Sequence, residues 1–317
     1  MSKQLPTIFL TALLSSAIFL IIASNNLDFI LMFLSTIPLF SLGLSKGHRL
    51  VLEAGTLAII PIALFGGGNL FPAGLYFFIF AMPCWYVCYL ALRNYDISLD
   101  SSPLPLRLWY PAGLITVHLA LYSCAVLAIA TAIFATQDTN LPQFISQVAN
   151  GVIDSISKEY ELPEGISPAH FAFVLCGSTA WLWCFFMFGC GWFVNNTLVK
   201  KNLAQRPSFT VHPFPMPHWL LTLMSICALA SIIGGESISF LGKSTLFTLL
   251  VPYFFLGAAI LNLSIKEIAK NMFFLFIFYF IALITFWPAL IITGIGVWNH
   301  IKIFNKHLSS GGSSSRS

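Results

Sequence analysis

His118 stands in the middle of an apolar run, Ile115-Thr-Val-His-Leu119. An ionisable side chain at membrane depth is costly and is read first as functional. A neutral imidazole there either lines a ligand path or donates to a carbonyl of a neighbouring helix. His48 and Glu53 have the His-x4-acid spacing found in membrane acyltransferases, but the acid is Glu rather than Asp and the neighbouring motifs are missing. Gly177-Ser178 offers a hydroxyl nucleophile without a base beside it, and only His118 and His170 remain to serve it. Gly66-Gly67-Gly68 lacks the strand–loop–helix context and the following Lys of a phosphate-binding loop. The seven cysteines all sit in apolar runs and form no C-x-x-C pair, so they read as small buried hydrophobes rather than zinc or redox ligands. None of these patterns supports an enzyme, a metal or a cofactor.

The remaining polar groups within or beside the apolar runs suit binding better than catalysis. Glu53 lies four residues beyond Arg49, within reach of an i, i+4 ion pair. Asn195-Asn196 and Asn262 fall near run ends, where interhelical hydrogen bonds are expected. Glu236 follows Gly234-Gly235 at a wet end, and His170 opens a run rich in Trp181, Trp183 and Trp192. The residues expected to line a ligand cavity are His118, His170, Trp181, Glu236 and Asn262.

The elements that must carry these residues are membrane helices. Hydrophobic residues make up 58% of the 317-residue chain and charged residues 8%, against roughly 25% charged in a soluble domain. The net charge of +4 is therefore no sign of nucleic acid binding and must be read loop by loop. Nine apolar runs follow one another: 5–23, 28–44, 50–65, 70–92, 111–134, 171–199, 217–233, 244–265 and 272–298. A span needs about 20 residues, so the second and third are short. Prolines interrupt several of them, at Pro38, Pro83, Pro252 and Pro288. The first run leads directly into the second, so it reads as a retained span rather than a signal peptide. The expected fold is an all-α polytopic transmembrane bundle of about eight to nine spans, one membrane domain over 1–308, with a Ser/Gly-rich disordered tail over 309–317.

One long polar insert, 136–169, separates the fifth run from the sixth. Asn140, Pro142 and Gln143 form a helix-start pattern. Leu141, Phe144, Ile145, Val148, Val152 and Ile156 then share one face. The polar face is acidic against one Lys158 and is not the basic face of a surface-lying membrane helix, so this helix is expected to cap its own membrane domain, with a solvated connector that covers helix ends as the alternative.

Charge sets the orientation. Lys and Arg cluster in alternate loops, at Lys46 and Arg49, Arg93 and Arg107, Lys200, Lys201 and Arg206, and Lys266 and Lys270. The positive-inside rule places these loops and the N-terminus in the cytoplasm and the acidic insert outside. The last run conflicts with this count. It is too long for one upright span, and its basic C-terminal flank, Lys302 and Lys306, would emerge on the outside. A single span kinked at Trp287-Pro288 is the expectation, with a re-entrant pair as the alternative.

Several segments, in order, carry a family resemblance: Ile37-Pro-Leu-Phe-Ser-Leu-Gly43, Trp109-Tyr-Pro-Ala-Gly113, Arg206-Pro-Ser208, Met216-Pro-His-Trp-Leu220, Phe240-Leu-Gly-Lys243, Val251-Pro-Tyr-Phe-Phe-Leu-Gly257 and Trp287-Pro-Ala-Leu290. On these the chain resembles the YybS-like family of bacterial inner-membrane proteins. That family is distantly similar to substrate-binding S components of energy-coupling-factor transporters. The resemblance implies a small-molecule ligand bound within a helical bundle and a transmembrane coupling protein with ATPase subunits as partner, and it carries over no ligand-contacting residue. S components have about six spans, fewer than the runs counted here. A non-transport scaffold that organises envelope partners is the alternative. A transporter core should show a polar-lined cavity ringed by residues such as His118 and His170.

Overall fold

The computed structural model describes residues 4–24, 29–66, 68–97, 106–134, 141–157, 168–209, 213–264, 272–285 and 287–311, with the side chains of 149, 151–157 and 168–173 among those left undescribed. The described residues are helical apart from one hairpin and the connecting turns. Six helical stretches are long and apolar enough to cross a membrane: Leu5–Ser24, His48–Phe65, Leu70–Ala91, Ala112–Phe134, Val174–Lys200 and Glu236–Leu263. The second and seventh apolar runs form shorter helices, Ile30–Lys46 and Trp219–Ile233, and the ninth is a bent pair. The eighth run starts earlier than its hydropathy suggests, because Glu236–Phe240 continues the helix upstream.

Proline explains most of the boundaries. Helices α1 (Leu5–Ser24), α2 (Thr36–Lys46, after a 3-10 turn Phe29–Ser35) and α3 (His48–Phe65) come first. The turn between α2 and α3 rests on Gly47, whose φ of 118° suits glycine and whose N–H returns to the Gly43 carbonyl. Helix α4 (Leu70–Tyr76) starts at Asn69, whose side chain accepts from the Phe71 N–H. It passes through a π turn, Phe77–Ala81, into α5 (Met82–Ala91). Pro83 has no N–H and its ring crowds the preceding turn, and the wider turn just before it takes up the misfit.

The polar loop expected over 93–109 holds a two-stranded antiparallel hairpin, β1 (Asn94–Ile97) and β2 (Leu106–Trp109). Asp96 faces Arg107 across it and pairs with it at 3.1 Å. Arg49 and Glu53, by contrast, make no ion pair. Both are exposed, where such a pair gains under about 1 kcal/mol.

Helix α6 (Ala112–Phe134), α7 (Leu141–Ser157), α8 (Pro168–Lys200), α9 (Trp219–Ile233), α10 (Glu236–Thr248), α11 (Val251–Ser264), α12 (Met272–Ile284) and α13 (Trp287–Gly311) complete the chain. Helix α13 runs three residues into the tail expected to be disordered from Ser309.

The chain packs as two compact units, residues 1–115 with 185–211 and residues 116–184 with 212–317. The first is built on aromatic packing: Phe33 stacks on Phe186 at 5.2 Å and meets Phe80 edge-on at 5.4 Å. A buried polar trio lies beside it. The Ser15 hydroxyl donates to the Ser35 carbonyl at 2.6 Å, and Tyr76 Oη lies 2.5 Å from Ser15 Oγ. Such bonds replace the water that hydrocarbon cannot supply.

In the second unit α7 packs on α6 and α10. Leu141 and Ile145 join Phe240, Leu127, Ala130 and Phe134 in one cluster. The expected apolar face of α7 divides, since Phe144 and Val148 stay exposed. Val152 and Ile156 lie outside the described side chains.

The tightest contact in this unit joins α11 to α13. A Cβ on Gly257 would lie 1.8 Å from the Ile292 carbonyl oxygen, and one on Gly296 would lie 2.1 Å from that of Tyr253. Backbone meets backbone here, as small residues allow in membranes. Gly257→Ala and Gly296→Ala should each destabilise the detergent-solubilised protein by about 1–3 kcal/mol, read as a lower Tm. Gly294→Ala, where a Cβ meets nothing, should leave it unchanged. Equal Tm values for all three would contradict this crossing.

Candidate functional site

The ninth apolar run breaks where Trp287-Pro288 predicts, and the break is sharp: the axes over Leu275–Ala282 and Trp287–Asn305 differ by 102°. Such a bent pair is either one broken span or a re-entrant loop, the two forms expected for this run. Thr285 closes the last turn of α12. Its N–H and its hydroxyl both donate to the Ile281 carbonyl, at 2.9 and 2.8 Å.

The bend leaves space. A partly open cavity of about 390 Å³ lies among Ser178, Trp181 and Leu182 on α8, Phe247 on α10, Ile284 on α12, and Ala289 and Leu290 on α13. Trp181 is buried, and its indole N–H donates to the Phe247 carbonyl at 2.8 Å. That bond turns its only polar atom to the backbone and leaves a hydrocarbon face. Its ring also packs against Phe247 and Phe254. Phe247 in turn lies over Gly177, where a Cβ would come within 2.3 Å of the ring. Ser178 makes no side-chain hydrogen bond to the described residues.

Of the five residues expected to line a cavity, Trp181 does so. His118 is half-buried on α6 and engaged, and it is not among this cavity's lining residues. Glu236 is exposed at the start of α10. Asn262 is buried, with Tyr279 Oη 2.7 Å from its Oδ1 and 3.0 Å from the Ala258 carbonyl. His170 lies in the first turn of α8, and its side chain is outside the described residues. The cavity is apolar where a transporter core was expected to be polar-lined. Asn195 and Asn196 hold the following loop: Asn195 Nδ2 donates to the Pro207 carbonyl, and the Phe209 N–H donates to Asn196.

Sequence reasoning missed two buried groups. His300 on α13 is 2% exposed, with Tyr253 Oη 3.0 Å from its Nδ1 and the His218 ring stacked 5.7 Å away. The spacing of one α-helical turn between Gly296 and His300 and between Tyr253 and Gly257 was the available signal. The other is Arg206, read as an ordinary loop cation.

Arg206 is 6% exposed. Its Nη1 donates to the Ala91 carbonyl at 2.9 Å, and its guanidinium lies 4.2 Å over the Phe209 ring and 5.8 Å from that of Trp109. Burial pulls its pKa down to about 10, which still leaves it cationic at neutral pH. A cation at the C-terminal end of α5 meets the negative end of the helix dipole, and the ring face compensates part of the lost hydration. The Trp192 indole N–H and the Gln205 side chain pin the same loop, bonding the carbonyls of Phe209 and Ser45.

Comparison with protein-family models, with curated proteins and with solved structures finds no match for this chain.

Arg206→Lys keeps the charge but loses the planar group that stacks and hydrogen-bonds at once. It should lower stability by about 1–3 kcal/mol, seen as a lower Tm in detergent. A wild-type Tm would show that charge alone suffices at this position.

Proposed function

We propose that this chain is a multi-pass inner-membrane protein that binds a ligand within its helices as a substrate-binding or transport-related component. The observation that carries the reading is the cavity at the α12–α13 bend. Ligand sites in bundles lie between helices and span roughly 300–1,000 Å³, and about 390 Å³ falls in that range. The resemblance to the YybS-like family, and through it to S components, supports the same reading. The sequence holds no nucleotide-binding motif, so energised transport would come from a coupling membrane protein with ATPase subunits. The alternating basic loops support a cytoplasmic N-terminus, with α7 on the outer side. That orientation makes a reporter fused after Arg206 active only as a cytoplasmic reporter, and one within 147–157 only as an external one.

Co-purification in mild detergent, followed by mass spectrometry of proteins and small molecules, tests the assignment. Recovery of a coupling membrane protein with its ATPases, together with a bound small molecule, is the expected result. Recovery of envelope proteins without ATPases and without ligand would overturn it in favour of a scaffold.

A further inference from the structure

The cavity at the bend can be occupied in three ways, by water, by a polar ligand or by hydrocarbon. Its walls decide among them. Water in a buried site needs two to four polar partners. The lining side chains supply one, the Ser178 hydroxyl, because the Trp181 indole N–H is already bonded to the Phe247 carbonyl. A polar ligand meets the same shortage, at a cost of about 2–7 kcal/mol for each group left unsatisfied. An empty space is disfavoured as well, since the wall atoms would lose their dispersion contacts.

The outer side of the cavity supplies the third occupant. Ile284 and Leu290, which line it, are also exposed, at 63% and 37%. They continue into Trp287 and Ile291, 74% and 67% exposed on the same bend. An exposed apolar surface of this kind, on a chain whose described residues include six helices long and apolar enough to cross a membrane, is a surface for lipid. The mouth of the cavity therefore adjoins hydrocarbon, and an acyl chain reaches it without crossing water.

We infer that this cavity holds one acyl chain of a membrane phospholipid, entering beside Ile284 and Leu290. The inference rests on the cavity being the ligand site proposed above, and it narrows the substrate class to lipids or lipid-linked molecules. Within a bilayer the chain gains little from leaving its neighbours, since lipid tails are as apolar as Leu. Selection then comes from shape: Ala289 keeps the floor open, and Phe247, held over Gly177, closes one wall.

The test uses the full chain in nanodiscs with a phosphatidylcholine bearing a diazirine midway along one acyl chain. After illumination, peptide mass spectrometry should find adducts on the more enclosed lining residues Ser178, Trp181, Leu182 and Ala289 as well as on the exposed α6 residues Ile129 and Ile133. Ser178→Leu fills the cavity and should abolish the first set while leaving the second intact. Ala289→Leu fills it from α13 instead and serves if the first variant does not fold. Cavity adducts that persist in the folded variants, or adducts confined to Ile129 and Ile133, would overturn the inference. Native mass spectrometry of the same samples separates the two readings. A water-soluble molecule bound to the wild type and lost in Ser178→Leu would keep the binding function and overturn the lipid assignment. A free fatty acid in place of a phospholipid would overturn the source. Absence of any bound molecule would sink both.

Discussion

In hydrocarbon a backbone carbonyl that loses its helical partner has no water to turn to. Pro288 forces that situation on the last apolar run, because it carries no N–H and its ring crowds the turn before it. The chain answers by ending one helix at Ile284 and starting another at Trp287, turned by 102°. The last turn of α12 closes at Thr285, whose N–H and hydroxyl both donate to the Ile281 carbonyl. The Trp287 N–H turns back to the Thr285 carbonyl at 2.7 Å. A straight helix would carry Ile284 and Leu290 along one axis. The bend brings both to the wall that Trp181 and Phe247 complete.

A sharp turn is kept only if the helix beyond it is anchored, and α13 is anchored to α11. Gly257 and Gly296 let the two backbones touch. One turn further along α13, His300 meets the Tyr253 hydroxyl, and across the unit Tyr279 meets Asn262. Each of these polar bonds joins two helices where an unmet group would be costly. They explain why Asn262, expected to face a ligand, is engaged with a neighbouring helix. The polar side chains go to assembly, and the cavity at the bend keeps an apolar lining.

Much of the helical layout was legible in the sequence, because hydropathy and charge speak directly to a bilayer. The long helices α1, α3, α6 and α8 begin and end close to the apolar runs, and α7 starts at Leu141 as its capping pattern indicates. The hairpin over 94–109 was hidden because two short strands between polar residues have no periodicity to distinguish them from a loop. The burial of Arg206 was hidden for another reason: a guanidinium in a basic loop looks solvated until Phe209 and Ala91 close over it. Trp181 was legible as a lining residue. Phe247, Ala289 and Leu290 were not, because they meet only through the angle at Pro288, and a proline in a sequence states that a helix is interrupted without stating how far it turns.

That angle is the quantity on which the cavity depends. Spin labels at the exposed positions Phe278 and Asn305, read by double electron–electron resonance in nanodiscs, measure it directly. At a rise of about 1.5 Å per residue, a continuous helix would separate the two Cα atoms by about 40 Å. The 102° turn shortens this to about 27 Å. A distribution centred near the shorter distance is the result predicted here. One centred near the longer distance would mean a straight span without the wall of the cavity, and would contradict the account.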